Sequence, residues 1–420
     1  MEKPKKIILI VVDSLRADHL GCYGYKRNTS PNIDKIAKEN ILFKWAFSAI
    51  SYTVPSFTSI LTSLYPSSHS IGYHHKFPKF DKDKDILLPE ILKSEGYSTA
   101  AFIGSMALRK EIGLDAGFDV YDDPDWRNAQ DSNEKFFSWL DENHDKNLFA
   151  MMHYFDVHIP YKPPSPYNKE FVKDKYYGKA KHLETKLDGW LDKEIEIGGI
   201  PKSAIISIDG KIETDTRYYI SQYDGCIKYV DNAIAEVIKK LKKLNIYDDC
   251  LLIITADHGD AMGENDVWFF HGYTVTPDVI HVPLIMKFPE QYKGDINKNS
   301  VVDTHVSHID LMPTILDMIE YDTQGLSLQG KSLINLVKEG SDESFENRII
   351  NAEIQGQIAS IDKNTINVKP QKIDKNNIIL FHIDKLCEKE IIYNYREEQI
   401  KKGFMSKLID KLSNFRSTLP

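Results

Sequence analysis

The chain alternates short apolar runs with amphipathic stretches. Residues 7–12 (IILIVV) form an unbroken apolar run that ends at Asp13, the pattern of a parallel strand buried on both faces. A Gly-rich polar loop, SLRADHLGCYGY, follows, and Ser30-Pro31 then opens NIDKIAKEN, a short capped helix with Ile33 and Ile36 turned inward. Around residues 51–55 the chain reads as a helix start, since proline is tolerated in a first turn. Phe57, Ile60, Leu61 and Leu64 then recur at helical spacing, and Pro66 stops the pattern. Residues 87–94 read as a helix ending at Gly96, and 97–103 and 148–153 as strands. The second strand leads into the Pro-rich FDVHIPYKPPSPY.

Residues 165–215 lack clean periodicity and read as an insertion, part of a lid. From 217 to 244 runs the longest helical signal. Tyr219, Tyr223, Ile227, Val230, Ile234, Val237 and Leu241 line its inner face, and Lys239, Lys240, Lys242 and Lys243 suit its C-terminal dipole. Residues 251–256 are a strand and 308–319 a helix. This order predicts an α/β fold with a doubly wound, mostly parallel sheet. Beyond residue 345, RIINAEI, TINVK and IILFHI are short and β-like, with a Lys-rich helix near 400–413. The expected division is a catalytic domain at 1–345 and a small C-terminal α+β subdomain at 346–420.

Composition narrows the class. The chain has 420 residues, 42% hydrophobic and 27% charged, which excludes a disordered, collagen-like or coiled-coil protein. With 53 basic against 62 acidic residues it lacks the basic field of a nucleic-acid binder. Cys22, Cys226, Cys250 and Cys387 are scattered, without zinc or disulfide spacing. The N-terminal apolar run is too short for a signal peptide, and no stretch approaches the ~18 apolar residues of a membrane span. A soluble cytoplasmic protein is expected, with no membrane or nucleic-acid partner.

In open α/β sheets ligands bind beyond the carboxyl ends of strands. Three polar clusters stand at such ends: Asp13, Asp156 with His158, and Asp257-His258. A parallel sheet would bring them to one rim, and carboxylates meeting an imidazole suit a divalent cation. An aspartate at a strand end is also a common helix cap; for Asp13 with Asp257-His258 jointly, the metal reading is the better one. Thr53 stands at a helix N-terminus, where free N–H groups attract an anion. Its hydroxyl is either the cap or, beside a cation, a nucleophile.

IILIVVDSLRADHLGCYG, TVPSFTSILTSLYPSSHS, ADHGDAMGEND with a following HG, HVPLIMKFP, and VSHIDLMPTILDM with LQGKSLINLV together resemble the sulfatase family of the alkaline phosphatase superfamily. The likeness is collinear over roughly residues 5–340. It implies the same doubly wound core and small C-terminal subdomain. It implies Asp13, Asp257 and His258 as ligands of a divalent metal (Mn, Zn or Ca), with Thr53 as both ligand and nucleophile. His271 matches the histidine downstream of DHG, and His158 the histidine that contacts the bound anion. One metal is expected; a second would draw on Asp156, His158 or His271.

The departures from the family pattern direct the chemistry. Threonine replaces the Cys or Ser that becomes formylglycine and cannot form that aldehyde. Phe57 stands for the motif arginine, Ser14 for the second aspartate after the first strand, Phe270 for a lysine, and GSMALRKEIG where a Lys/His segment is usual. A phosphorylated threonine can be hydrolysed by in-line attack of water, whereas a sulfated one lacks the aldehyde's exit route. The expected function is therefore a metal-dependent hydrolase of a phosphodiester, phosphonate or related ester through a covalent Thr53 intermediate, with His158 or His271 protonating the leaving group. The substrate would be a small-molecule or glycan ester. Rival readings are a sulfuric ester hydrolase working without formylglycine, and a non-catalytic binding protein that keeps the fold. His69 and His305 are read as surface or supporting groups, His74-His75 as solvated, His19 as shaping the loop after Asp13, and Tyr161 and Tyr167 as packing. Residues 70–85 and 160–215 are the expected specificity loops. Oligomeric state is not legible.

Overall fold

The computed structural model describes residues 3–69, 71, 80–81, 83–173, 181–186, 199–292, 294, 296, 300–354, 356–370 and 391–394. Its centre is an eight-stranded sheet of β1 (Lys6–Val12), β2 (Ile41–Phe47), β3 (Ser98–Phe102), β4 (Val120–Asp122), β5 (Leu148–Tyr154), β6 (Cys250–Ala256), β7 (His281–Lys287) and β8 (Val301–Ser307). The spatial order is β8-β2-β7-β6-β1-β5-β3-β4. Every pairing is parallel except those of β7, which runs antiparallel to β6 and β2. The mostly parallel α/β fold expected from the alternation is the one observed. β1, β5 and β6 are buried at every position, as continuous apolar runs require when helices cover both faces.

The helices that frame the site are α1 (Pro31–Glu39), α2 (Thr53–Thr62), α3 (Leu88–Ser94), α4 (Ala129–Asn143), α5 (Thr216–Lys243) and α6 (Leu311–Met318). Ile33 and Ile36 of α1 face inward, as do the seven residues predicted for α5. α2 departs from a surface helix: all ten of its residues are buried. It ends before Pro66, at Ser63 in the left-handed conformation (φ 62°). Pro66 instead begins a short helix, Pro66–His69.

A four-stranded antiparallel sheet follows, from β9 (Ile350–Ile354), β10 (Gln357–Ile361), β11 (Thr365–Pro370) and β12 (Ile391–Asn394). It reaches back to the core through Glu353, whose N–H donates to the Ala49 carbonyl, and through Gln357, whose Oε1 accepts the Thr274 hydroxyl at 2.7 Å. Residues of IILFHI, the Lys-rich segment 400–413, His74 and His75 lie outside the described residues. The expected insertion at 165–215 is described only in part. No helix among the described residues is long and apolar enough to cross a membrane.

Candidate active site

Sheet register assembles the site. β1 lies between β5 and β6 with Val12 opposite both Tyr154 and Ala256. The residues just beyond these strands, Asp13, Phe155 and Asp257, therefore emerge at one rim. Asp13, Asp257 and His258 are fully buried, and one ligand atom from each lies within 4.8 Å of the others. The turn after β1 is tightly held. Ser14 sits at φ 58°; its N–H donates to Asp257 Oδ1 at 3.0 Å and its hydroxyl to Asp13 Oδ1 at 2.9 Å. The Tyr223 hydroxyl donates to the Ser14 carbonyl at 2.7 Å. On the other side, Gly259 is required: a Cβ there would meet the Asp278 carbonyl at 2.4 Å.

Thr53 is the first residue of α2, and the preceding Tyr52 makes no side-chain cap. The Thr53 hydroxyl is not used as a cap either. Its partner is His258 Nε2 at 3.3 Å. Ser56, one turn on, ties the helix to the same loop by donating to the Asp257 carbonyl at 2.7 Å. Behind it, His308 lies 3.4 Å from both Ser56 Oγ and Thr255 Oγ1, and burial pushes its pKa down to about 3.

The donor set fits a cation. His258 Nδ1 faces the Gly259 carbonyl at 3.0 Å, which assigns the proton to Nδ1 and leaves Nε2 as a lone pair. That lone pair faces Thr53 Oγ1 and, at 3.3 Å, Asp257 Oδ2. The second contact has ion-pair distance but no hydrogen-bond geometry, and Asp257 Oδ2 is a buried oxygen without a partner. Lone pairs converging in a buried site favour a positive charge among them. The electrostatics agree. Burial raises the Asp257 pKa to about 7, with the neighbouring Asp13 charge adding to the rise. Burial opposes ionisation of Asp13 too, but His158, the His153 hydrogen bond and His258 hold it below the usual carboxylate range. Two facing carboxylates cannot both stay ionised without a cation.

His158 and His271 form the opposite end. His271 Nδ1 lies 2.6 Å from Asp260 Oδ1, and the Tyr161 hydroxyl donates to Asp260 Oδ2 at 2.8 Å. His158 Nδ1 lies 2.6 Å from the Ile159 carbonyl. The His271 ring is 4.9 Å from that of His158 and 4.3 Å from that of His258. Burial lowers the pKa of both, to about 4 for His271. Burial thus favours the neutral form of both rings, each with Nδ1 on its acceptor and Nε2 without a hydrogen-bond partner among the described residues. Asp156, by contrast, stands outside the cation group and accepts from the Ala129 N–H at the start of α4. Burial raises its pKa to about 7.

The site therefore brings together Asp13, Thr53, Asp257, His258, His158 and His271. Residues not anticipated are His153, Asp260, Ser56 and His308; Tyr161, read as packing, holds Asp260. The fourth residue of DHGD was the one local signal for Asp260, while His153 is placed only by its register with Val11. His69 is buried, not superficial, with Nε2 3.1 Å from Ser59 Oγ. His305 stacks on Trp45 and Phe47, and His19 braces its loop through Asp224 at 2.8 Å.

The sulfatase family model matches residues 5–321, and the chain belongs to the sulfatase family. Within it, the chain is 24% identical over 406 residues to an N-acetylglucosamine-6-O-sulfatase of Bacteroides thetaiotaomicron, covering 78% of this chain and 70% of that one. Its fold is that of the phosphonate monoester hydrolase of Silicibacter pomeroyi (TM-score 0.71, 19% identity, 98% and 95% of the two chains). It is equally that of an enzyme solved with its substrate D-glucosamine-2-N,6-O-disulfate (TM-score 0.71, 16% identity, 100% and 99%). Its relatives in the family are named as sulfatases, and this chain is a sulfatase-family ester hydrolase.

Proposed function

We propose that the protein hydrolyses a phosphodiester, phosphonate or related phosphorus ester through a covalent intermediate on Thr53. One observation carries this: Thr53 Oγ1, freed from capping, faces His258 Nε2 at 3.3 Å beside the unpartnered Asp257 Oδ2. Asp13, Asp257 and His258 would hold one divalent cation, such as Mn, Zn or Ca, with Thr53. When bound it supplies Lewis acidity toward the ester oxygen and the threonine hydroxyl. Thr53 Oγ attacks phosphorus in line as its proton leaves, and the alcohol departs. The open Nε2 atoms of His158 and His271 handle protons, accepting one from the attacking group and returning it to the alcohol. Asp260, through Nδ1, fixes the His271 tautomer. Water then displaces the phosphoryl group from Thr53.

A small-molecule or glycan ester is the substrate in this reading. The alternative is sulfuric ester hydrolysis, favoured by the sulfatase relatives named above. A non-catalytic role fits the site poorly, because an unpartnered buried carboxylate oxygen is costly to keep. The division near residue 345 and a cytoplasmic location belong to the same proposal. The latter rests on scattered cysteines, of which Cys22, Cys226 and Cys250 are free. The deciding experiment is a panel of aryl phosphodiester, phosphonate, phosphomonoester and sulfate substrates with defined metals. Turnover of the phosphorus esters that is lost in chelator and restored by Mn or Zn is expected. Turnover of the aryl sulfate alone, or full activity in chelator, would overturn the proposal.

A further inference from the structure

His153 lies in β5 opposite Val11 of β1. Asp13 is two residues beyond Val11, so strand alternation turns His153 and Asp13 to the same face. The His153 ring is fully buried, and its Nε2 is 3.1 Å from Asp13 Oδ2. Its Nδ1 has no partner. Phe57, where the family motif has arginine, closes the other side, edge-on with ring centres 5.0 Å apart. An apolar residue would fill this place in a parallel sheet without leaving a buried ring nitrogen unpaired. A histidine kept there must serve something else.

Its partner shows what. Asp13 Oδ1 takes the Ser14 hydroxyl at 2.9 Å and Oδ2 takes His153. Both carboxylate oxygens are thus held by a donor, and rotation of the carboxylate would break both bonds. The donor on Oδ2 sits on a central strand, the most rigid support available. The geometry points to His153 as a positioning residue, whose Nε2–H holds the Asp13 carboxylate in the orientation that offers a lone pair to the cation shared with Asp257 and His258. This rests on the metal reading above. Partners that orient metal ligands from behind typically set affinity by ~10–100-fold.

The test is calorimetric titration of the metal-free, full-length protein with Mn²⁺ and, separately, Zn²⁺, without substrate. Glutamine can place an amide N–H near the position of Nε2; asparagine and leucine cannot. His153→Gln should bind within about threefold of wild type, and His153→Asn and His153→Leu ~10–100-fold more weakly. Thermal melting of each metal-free variant checks folding. Should the leucine variant not fold, the Gln–Asn pair carries the comparison. Wild-type affinity in the Asn or Leu variant, or a Gln variant as weak as Asn, would overturn the role of His153 alone. A wild-type protein with no saturable metal binding would remove the metal reading and this role with it.

Discussion

At one end of the site, Asp13, Asp257 and His258 converge beside the Thr53 hydroxyl. At the other, His158 and His271 each donate Nδ1–H to a fixed acceptor and keep Nε2 open. The same burial acts on both ends with opposite results. It raises the carboxyl of Asp257 to about 7 and lowers the imidazole of His271 to about 4, in each case toward the neutral form. Neutral imidazoles are satisfied as they stand. Facing carboxylates are not, and Asp257 Oδ2 is left without a partner. This contrast supports the proposal that one end takes a cation and the other exchanges protons.

That division orders the expected effects of mutation. Thr53→Ala removes the group the cation end presents to substrate, and turnover should fall by at least ~10³-fold. Metal content by elemental analysis should stay near one equivalent, since Asp13, Asp257 and His258 remain. A large loss of metal in this variant would merge the two ends of the comparison into one. His271→Gln should reduce kcat by ~10²-fold or more while leaving metal affinity near wild type. Asp260→Asn should follow with a smaller loss, about tenfold, and a shifted pH profile, because it disturbs the His271 tautomer without removing the ring. An unchanged pH profile in Asp260→Asn would exclude that coupling.

The smallest effect concerns stability. Asp278, which backs Gly259, is raised to about 7 by burial and by Glu264. Its folded-state pKa lies above the unfolded one, so between roughly pH 4 and 7 the folded protein holds a proton that the unfolded chain has lost. Stability from this group is greatest at the acid end and declines as pH rises through 7. Asp278→Asn should flatten that slope in melting curves of the metal-free protein recorded from pH 5 to 8. An unchanged slope would show that Asp278 does not contribute.

Much of this arrangement was legible in the sequence because it depends on strand ends. Apolar runs that stop at Asp13 and just before Asp257 mark buried strands ending in polar residues, and parallel pairing does the rest. β2 was harder. No strand was read at ILFKWAF, and nothing local tells that it pairs with β7 and β8, because such contacts depend on residues far apart in the chain. β7 was likewise not read as a strand, and its antiparallel direction was hidden. Asp156 shows the limit of position at a strand end: it reaches the same rim but serves α4, since side-chain direction after a strand is set by the following turn. His153 was passed over for the opposite reason. Inside a run of buried residues it looks like core, and only its register with Val11 places it against Asp13.

In the proposed reaction Thr53 becomes covalently linked to the substrate's phosphoryl group. Wild-type protein with bound Mn or Zn, mixed with an aryl phosphodiester, quenched in acid and digested, should yield a phosphorylated peptide whose modified residue is Thr53. Robust turnover with that peptide always unmodified, and retained by Thr53→Ala, would contradict it.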